Sequence, residues 1–300
     1  MLNTPVLFLV FNRPDTTKQV FEAIRKAQPK QLFVAADGPR SDKPGEKEKT
    51  EEVRRIATAV DWDCDLKTLF RDENLGCGRG PATAITWFFE NVEKGIILED
   101  DCLPNESFFK FCEELLEYYK DDERIMHISG NNFQFGKKIG KASYYFSKYS
   151  HNWGWATWSR AWKHYQFKLF DLDEVWTSLA KIYSLEEKEK DYWWKIFDEL
   201  RDGKNDVWDG QWQFSIWKNS GLSILPNNNL ITNIGFTKDA THTIQEDSIL
   251  SNISTKEILK IDHPVHIQIN KKADLNSFKK VFLLKPFNKV QSLMLKIKNW

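Results

Sequence analysis

Three consecutive carboxylates, Glu99-Asp100-Asp101, follow the apolar run Gly95-Ile96-Ile97-Leu98. Carboxylate oxygens are the ligands preferred by hard divalent cations such as Mg²⁺ and Mn²⁺. These cations often take only one or two ligands from protein and the rest from phosphate and water. Acids at the end of a buried strand can therefore hold a cation that neutralises a phosphate anion. Successive side chains of an extended segment point to opposite sides, which predicts Glu99 and Asp101 on one side and Asp100 on the other. One side can then reach a metal while the other reaches an organic ligand. The plainer alternative is that the acids only favour the N-terminus of the next helix.

Other segments carry weaker chemistry. Asn74-Leu75-Gly76-Cys77-Gly78-Arg79-Gly80 opens a helix, and glycines let backbone N–H groups approach an anion at such an end, with Arg79 as a cation beside it. The spacing is neither a dinucleotide fingerprint nor a P-loop, and turns requiring positive φ explain the glycines about as well. Trp208-Asp209-Gly210-Gln211-Trp212 sets a carboxylate between two indoles. Burial there would raise its pKa, which suits a general base. Asp206 competes for that role, and Asp209 capping a helix near Gln211 is the alternative. In His151-Asn152-Trp153-Gly154-Trp155-Ala156-Thr157-Trp158, Trp153 and Trp155 are expected to line a substrate pocket, with simple core packing as the other reading.

The elements that must position these groups alternate. Pro5 to Phe11, Leu32 to Ala36, Leu66 to Phe70 and Gly95 to Leu98 read as strands. Helices fall between them, one capped by Asp15 and carrying Val20, Phe21 and Ile24, one through Val53, Ile56 and Ala57, and one through Ile85, Phe88 and Phe89. Such alternation implies an α/β fold with a mostly parallel central sheet flanked by helices. Ligands of these sheets bind beyond the carboxyl ends of the strands. The polar clusters at Asn12 to Asp15, Asp37 to Arg40, Arg71 to Gly80 and Glu99 to Asp101 all lie at those ends, so four loops should converge on one site. Further on, Asn105 caps a helix, Arg124 to Ile128 is a strand, Leu185 to Arg201 is a helix, and Gly221 to Thr232 is a strand with a turn at Pro226 to Asn229.

The 300 residues are 41% apolar, enough for a sizeable core, and 43 basic residues balance 43 acidic ones, so no net field favours nucleic acid. Cys64, Cys77, Cys102 and Cys112 have no metal-site spacing, and the first residues lack a basic leader region. Both point to reduced thiols in a cytoplasmic protein. Lys279 to Trp300 is basic and apolar without an acid. It is expected either to lie on anionic lipid at the inner face of a membrane or to pack as a terminal helix.

Together, Leu7-Phe8-Leu9-Val10-Phe11-Asn12-Arg13-Pro14, Ala36-Asp37-Gly38, Asn74-Leu75-Gly76 and Ile97-Leu98-Glu99-Asp100-Asp101 resemble the GT-A superfamily of nucleotide-sugar glycosyltransferases. The Glu-Asp-Asp form followed by paired Phe is similar to its N-acetylglucosaminyltransferase I-like branch and to bacterial sugar transferases. The resemblance spans residues 5–245. It implies a GT-A domain over 1–250, with a nucleotide-binding half at 1–104 and an acceptor half at 105–250, followed by a basic, amphipathic tail at 251–300. It also implies Mn²⁺ or Mg²⁺ on Asp101, with Asp100 close to the donor sugar or ribose and Glu99 on the substrate. Asn12, Arg13 and Asp37 would hold base and ribose. His242 would give a second metal or phosphate contact, and Asp209 would be the base of an inverting transfer. The implied donor is a UDP-sugar, and the implied acceptor a glycan or lipid-linked glycan. A sugar-1-phosphate nucleotidyltransferase is disfavoured because the first loop, Asn12-Arg13-Pro14-Asp15, lacks a glycine- and arginine-rich run. A non-catalytic carbohydrate-binding protein is the third reading, consistent with thirteen Trp.

Overall fold

The computed structural model describes residues 1–236, 249–251 and 253–283. In chain order its elements are β1 (Val6–Val10), α1 (Pro14–Ala27), β2 (Gln31–Ala36), α2 (Glu46–Ala57), β3 (Asp65–Phe70), α3 (Gly76–Phe89), β4 (Lys94–Glu99) and β5 (Cys102–Pro104). There follow α4 (Glu106–Tyr118), β6 (Ile125–Ser129), β7 (Tyr144–Ser147), β8 (Trp155–Trp158), α5 (Ser159–Trp162), α6 (Leu172–Ile182), α7 (Glu187–Arg201), α8 (Asp209–Lys218), β9 (Leu222–Pro226), β10 (Ile231–Asn233) and α9 (Lys271–Ser277), which runs into a π-helical turn at Phe278–Phe282.

Eight strands form one sheet in the order β3-β2-β1-β4-β8-β6-β9-β7. β1 pairs in parallel with β2 and β4, β2 with β3, and β6 with β9. Only β7 and β8 run against the rest. The mostly parallel sheet read from the sequence is therefore present. Its central strands are apolar at nearly every position because helices cover both faces. Leu7 and Leu9 of β1 face the core built on α3 and α5 to α8, whereas Val6, Phe8 and Val10 face the core built on α1, α2 and α4.

Local chemistry sets the helix ends. α1 begins at Pro14, one residue before the expected Asp15 cap, because proline suits the first helical position, where no N–H is needed. Asn105 caps α4 as expected, its side chain accepting from the Phe108 N–H at 3.2 Å. α3 differs from expectation: it starts at Gly76, so the glycine-rich stretch is its first turn rather than a loop before it.

The packed chain also continues beyond residue 250. Phe278 and Phe282 are buried among Tyr149, Tyr192 and Trp193. The buried Asp274 carboxylate accepts from Ser147 Oγ at 2.6 Å and from the Lys148 N–H at 3.0 Å. Residues 284–300, most of the expected basic segment, lie outside the described residues. Among the described residues no helix is long and apolar enough to cross a membrane.

Candidate functional site

The loops after β1, β2, β3 and β4 converge on one cavity of about 290 Å³ at the carboxyl ends of those strands. Its polar wall holds Arg13, Asp37, Arg71, Glu99, Asp100 and Asp101, and its apolar wall includes Phe11, Pro81, Trp153 and Phe236. β4 ends at Glu99, so its last residue stands at the cavity floor. Asp100 and Asp101 form a turn between β4 and β5, which breaks the strand alternation expected for them. All three carboxylates consequently face one cavity instead of being divided between two sides.

Arg13 ties this turn to the loop after β1. Its Nη1 lies 2.8 Å from Asp101 Oδ2 and 3.6 Å from Asp100 Oδ1. The other Asp100 oxygen accepts the Phe11 N–H at 3.2 Å. Burial and the negative charges of Asp101, Asp100 and Asp209 push the Glu99 carboxyl up to about 8, with Arg13 partly opposing them. Burial likewise raises Asp100, and Arg13 pulls it back. The guanidinium of Arg13 is itself raised: the charges of Asp100, Asp101 and Glu99 outweigh a large desolvation cost.

The first turn of α3 does not offer free N–H groups to a ligand anion. Asp37 accepts from the Leu75 N–H at 2.9 Å and the Gly76 N–H at 3.1 Å. Asp206 Oδ1 accepts from the Gly78 N–H at 3.1 Å. Two carboxylates of the chain thus take the place that a bound phosphate would fill, for the same electrostatic reason. Asp206 is thereby committed to holding α3 and is a poor candidate for a base.

Other expected residues are placed elsewhere. Asn12 donates from Nδ2 to Glu46 Oε1 at 2.8 Å and is not in the cavity wall. Arg79 lies over the Phe167 ring, 5.8 Å from its centroid, and is also outside the wall. Trp153 lines the cavity and meets Phe236 edge-on. Trp155 does not: it is fully buried, stacked on His127 and Trp208. The cause is Gly154 at φ +58°, which interrupts the extended backbone so that Trp153 and Trp155 no longer share a side. His242 lies outside the described residues.

Asp209 is the first residue of α8 and accepts the Gly210 N–H on Oδ1 at 2.9 Å. It borders a second, smaller cavity with Ser150, Asn152, Trp193 and Phe282, not the one at the strand ends. Burial raises its carboxyl above the ordinary range. Asn152 Oδ1, in the same small cavity, has no hydrogen-bond partner among the described residues.

The sequence places Arg71 at the head of one of the four converging loops without giving it a role, and it does not point to Asn233 or Phe236. Arg71 Nη2 donates to Thr83 Oγ1 at 2.6 Å, and burial lowers its pKa. Asn233 and Phe236 reach the cavity through the antiparallel pairing of β10 with β5, which no local pattern announces.

Among the described residues no group of three or more His, Cys, Asp or Glu is arranged to enclose a metal by itself. The donor set nonetheless fits a hard cation that takes further ligands from a bound phosphate. The Asp101 carboxylate is given room by Gly235, where a Cβ would meet Asp101 Oδ2 at 2.4 Å.

No family model matches the chain. No curated protein sequence matches it either. Among solved structures it is similar to HddC from Yersinia pseudotuberculosis, with a TM-score of 0.34 and 10% identity over 52% of this chain and 77% of that one.

Proposed function

We propose that this chain transfers a sugar from a nucleotide-diphosphate sugar, with UDP as the nucleotide, to an acceptor hydroxyl in a metal-dependent, inverting reaction of the GT-A type. The observation that carries the reading is the Glu99-Asp100-Asp101 floor of a cavity at the carboxyl ends of β1 to β4. That wall sets Asp37, Asp100 and Asp101, with Glu99 pushed up to about 8, against Arg13 and Arg71. Such a wall repels a bare diphosphate and favours one that arrives with a divalent cation.

In this reading Asp101, with Asp100 beside it, holds Mn²⁺ or Mg²⁺. When bound, that cation supplies electrostatic stabilisation to the departing diphosphate. Arg71, in the same polar wall, is a second cation for the nucleotide. Trp153, met edge-on by Phe236, gives an apolar face against which a ring can lie. Asp209, raised by burial and near enough to Glu99 for its charge to act on that carboxyl, is assigned the proton of an acceptor hydroxyl presented from its own cavity toward the Glu99 side. The proposed acceptor is a glycan or lipid-linked glycan.

The test is calorimetry and donor hydrolysis across a panel of nucleotide sugars, with and without Mn²⁺. The wild type is expected to bind and slowly hydrolyse one of them only with metal. Asp101→Ala is expected to lose this activity while its circular dichroism is unchanged. Metal-independent hydrolysis, or full activity in Asp101→Ala, would overturn the reading.

A further inference from the structure

The Asp100–Asp101 turn already holds a cation of its own. Arg13 Nη1 is 2.8 Å from Asp101 Oδ2 and 3.6 Å from Asp100 Oδ1. The remaining oxygens are engaged elsewhere, Asp100 Oδ2 by the Phe11 N–H and Asp101 Oδ1 by the Cys102 thiol at 3.4 Å. The edge of the turn with strong acceptor capacity left toward the cavity is therefore the edge that Arg13 covers. A guanidinium and a divalent cation cannot share that edge, because two cations on one carboxylate oxygen repel strongly in a partly buried site.

We propose that Arg13 is an exchangeable counter-cation of the Asp100–Asp101 turn, displaced when a divalent metal binds there and then free to pair with the diphosphate of the incoming nucleotide. This rests on the metal reading given above. The geometry around Arg13 allows the exchange. Its backbone is fixed at the start of α1, where its carbonyl accepts the Thr17 N–H at 3.0 Å and the Thr17 hydroxyl at 2.7 Å. Its side chain borders the cavity and is 26% exposed. The long side chain can thus swing about a fixed anchor, and its five N–H donors suit a phosphate as well as a carboxylate.

The exchange has a thermodynamic consequence. Metal alone must break the Arg13 pair and leave the guanidinium without an anion. Metal together with a diphosphate gives Arg13 a new partner. The two ligands should therefore bind with positive coupling, and the coupling should run through Arg13.

The experiment measures Mn²⁺ binding to the full chain by electron paramagnetic resonance, with and without UDP, in wild type, Arg13→Gln, Arg13→Lys and Asp101→Asn. Arg13→Gln is expected to bind Mn²⁺ alone roughly tenfold more tightly than wild type, the equivalent of one charge-assisted hydrogen bond. The gain in Mn²⁺ affinity that UDP brings should shrink by about the same factor. Arg13→Lys, which keeps the charge but loses the planar fork, should fall between them and carries the test if the Gln variant does not fold. If Asp101→Asn loses Mn²⁺ while both Arg13 variants bind it as the wild type does, the exchange is refuted and the metal reading stands. If no protein binds Mn²⁺ with or without UDP, both fall.

Discussion

In the proposed reaction, Asp209 is the residue on which transfer turns. Burial at the start of α8 lifts its carboxyl above the ordinary range, with the Gly210 N–H and its own N–H pulling it back. A base must be deprotonated to act, so activity is lost as pH falls through this raised pKa. The acid limb of the kcat/KM profile should therefore lie above that of an exposed aspartate. Asp209→Asn is expected to lower kcat by about a hundredfold or more and to abolish that limb, with donor affinity unchanged. Steady-state kinetics across pH, beside calorimetry of donor binding, checks both; a variant that retains most of its kcat would remove Asp209 from the mechanism. Asp206, three positions earlier and the competitor by sequence, is bound to the Gly78 N–H at 3.1 Å. What separates the two carboxylates is a contact spanning 128 residues of chain.

At the scale of elements, the C-terminal segment matters most for stability. By sequence, residues 251–300 read as a basic, amphipathic tail. In the structure, α9 and the turn after it close one end of the core. Lys148 and Glu189 make a buried ion pair at 2.8 Å beside the Asp274 carboxylate. Phe282 packs on Tyr149, Tyr192 and Trp193 and also borders the small cavity at Asp209. Phe282→Ala is expected to cost about 3–5 kcal/mol, the usual range for removing a buried ring. Urea unfolding would measure it, and a loss below about 1 kcal/mol would show the segment to be only lightly held. Ending the chain at residue 275 would remove both Phe278 and Phe282, so such a truncation tests core packing as much as any surface role of the tail.

At the scale of the whole molecule, one parallel half-sheet brings four loops to a single cavity, and the second half of the chain supplies its far wall through Trp153, Asn233 and Phe236. A ligand that fills this cavity should stabilise the whole fold, because it binds the native state and not the unfolded chain. UDP with Mn²⁺ at a hundred times its dissociation constant should add about 2.7 kcal/mol. In thermal unfolding this would be a rise in Tm of a few degrees that a chelator reverses. No shift with the pair, or an equal shift with UDP alone, would count against a metal-assisted site.

Much of this was determined by the sequence alone. The period of the apolar residues sets the strands and helices of the first hundred residues, because burial on both faces of a parallel sheet demands unbroken apolar runs. The rule that ligands gather at the carboxyl ends of such strands then points to Arg13, Asp37 and the Glu99-Asp100-Asp101 floor. Only the tertiary structure decided which neighbouring groups reach the cavity. A turn brought Asp100 to the same side as Asp101, and a left-handed Gly154 sent Trp155 into the core. Asp37 and Asp206 took the N–H groups of α3, and Arg13 settled on the carboxylates below it. Each of these depends on a single backbone angle or on a partner distant in the chain, and local periodicity encodes neither.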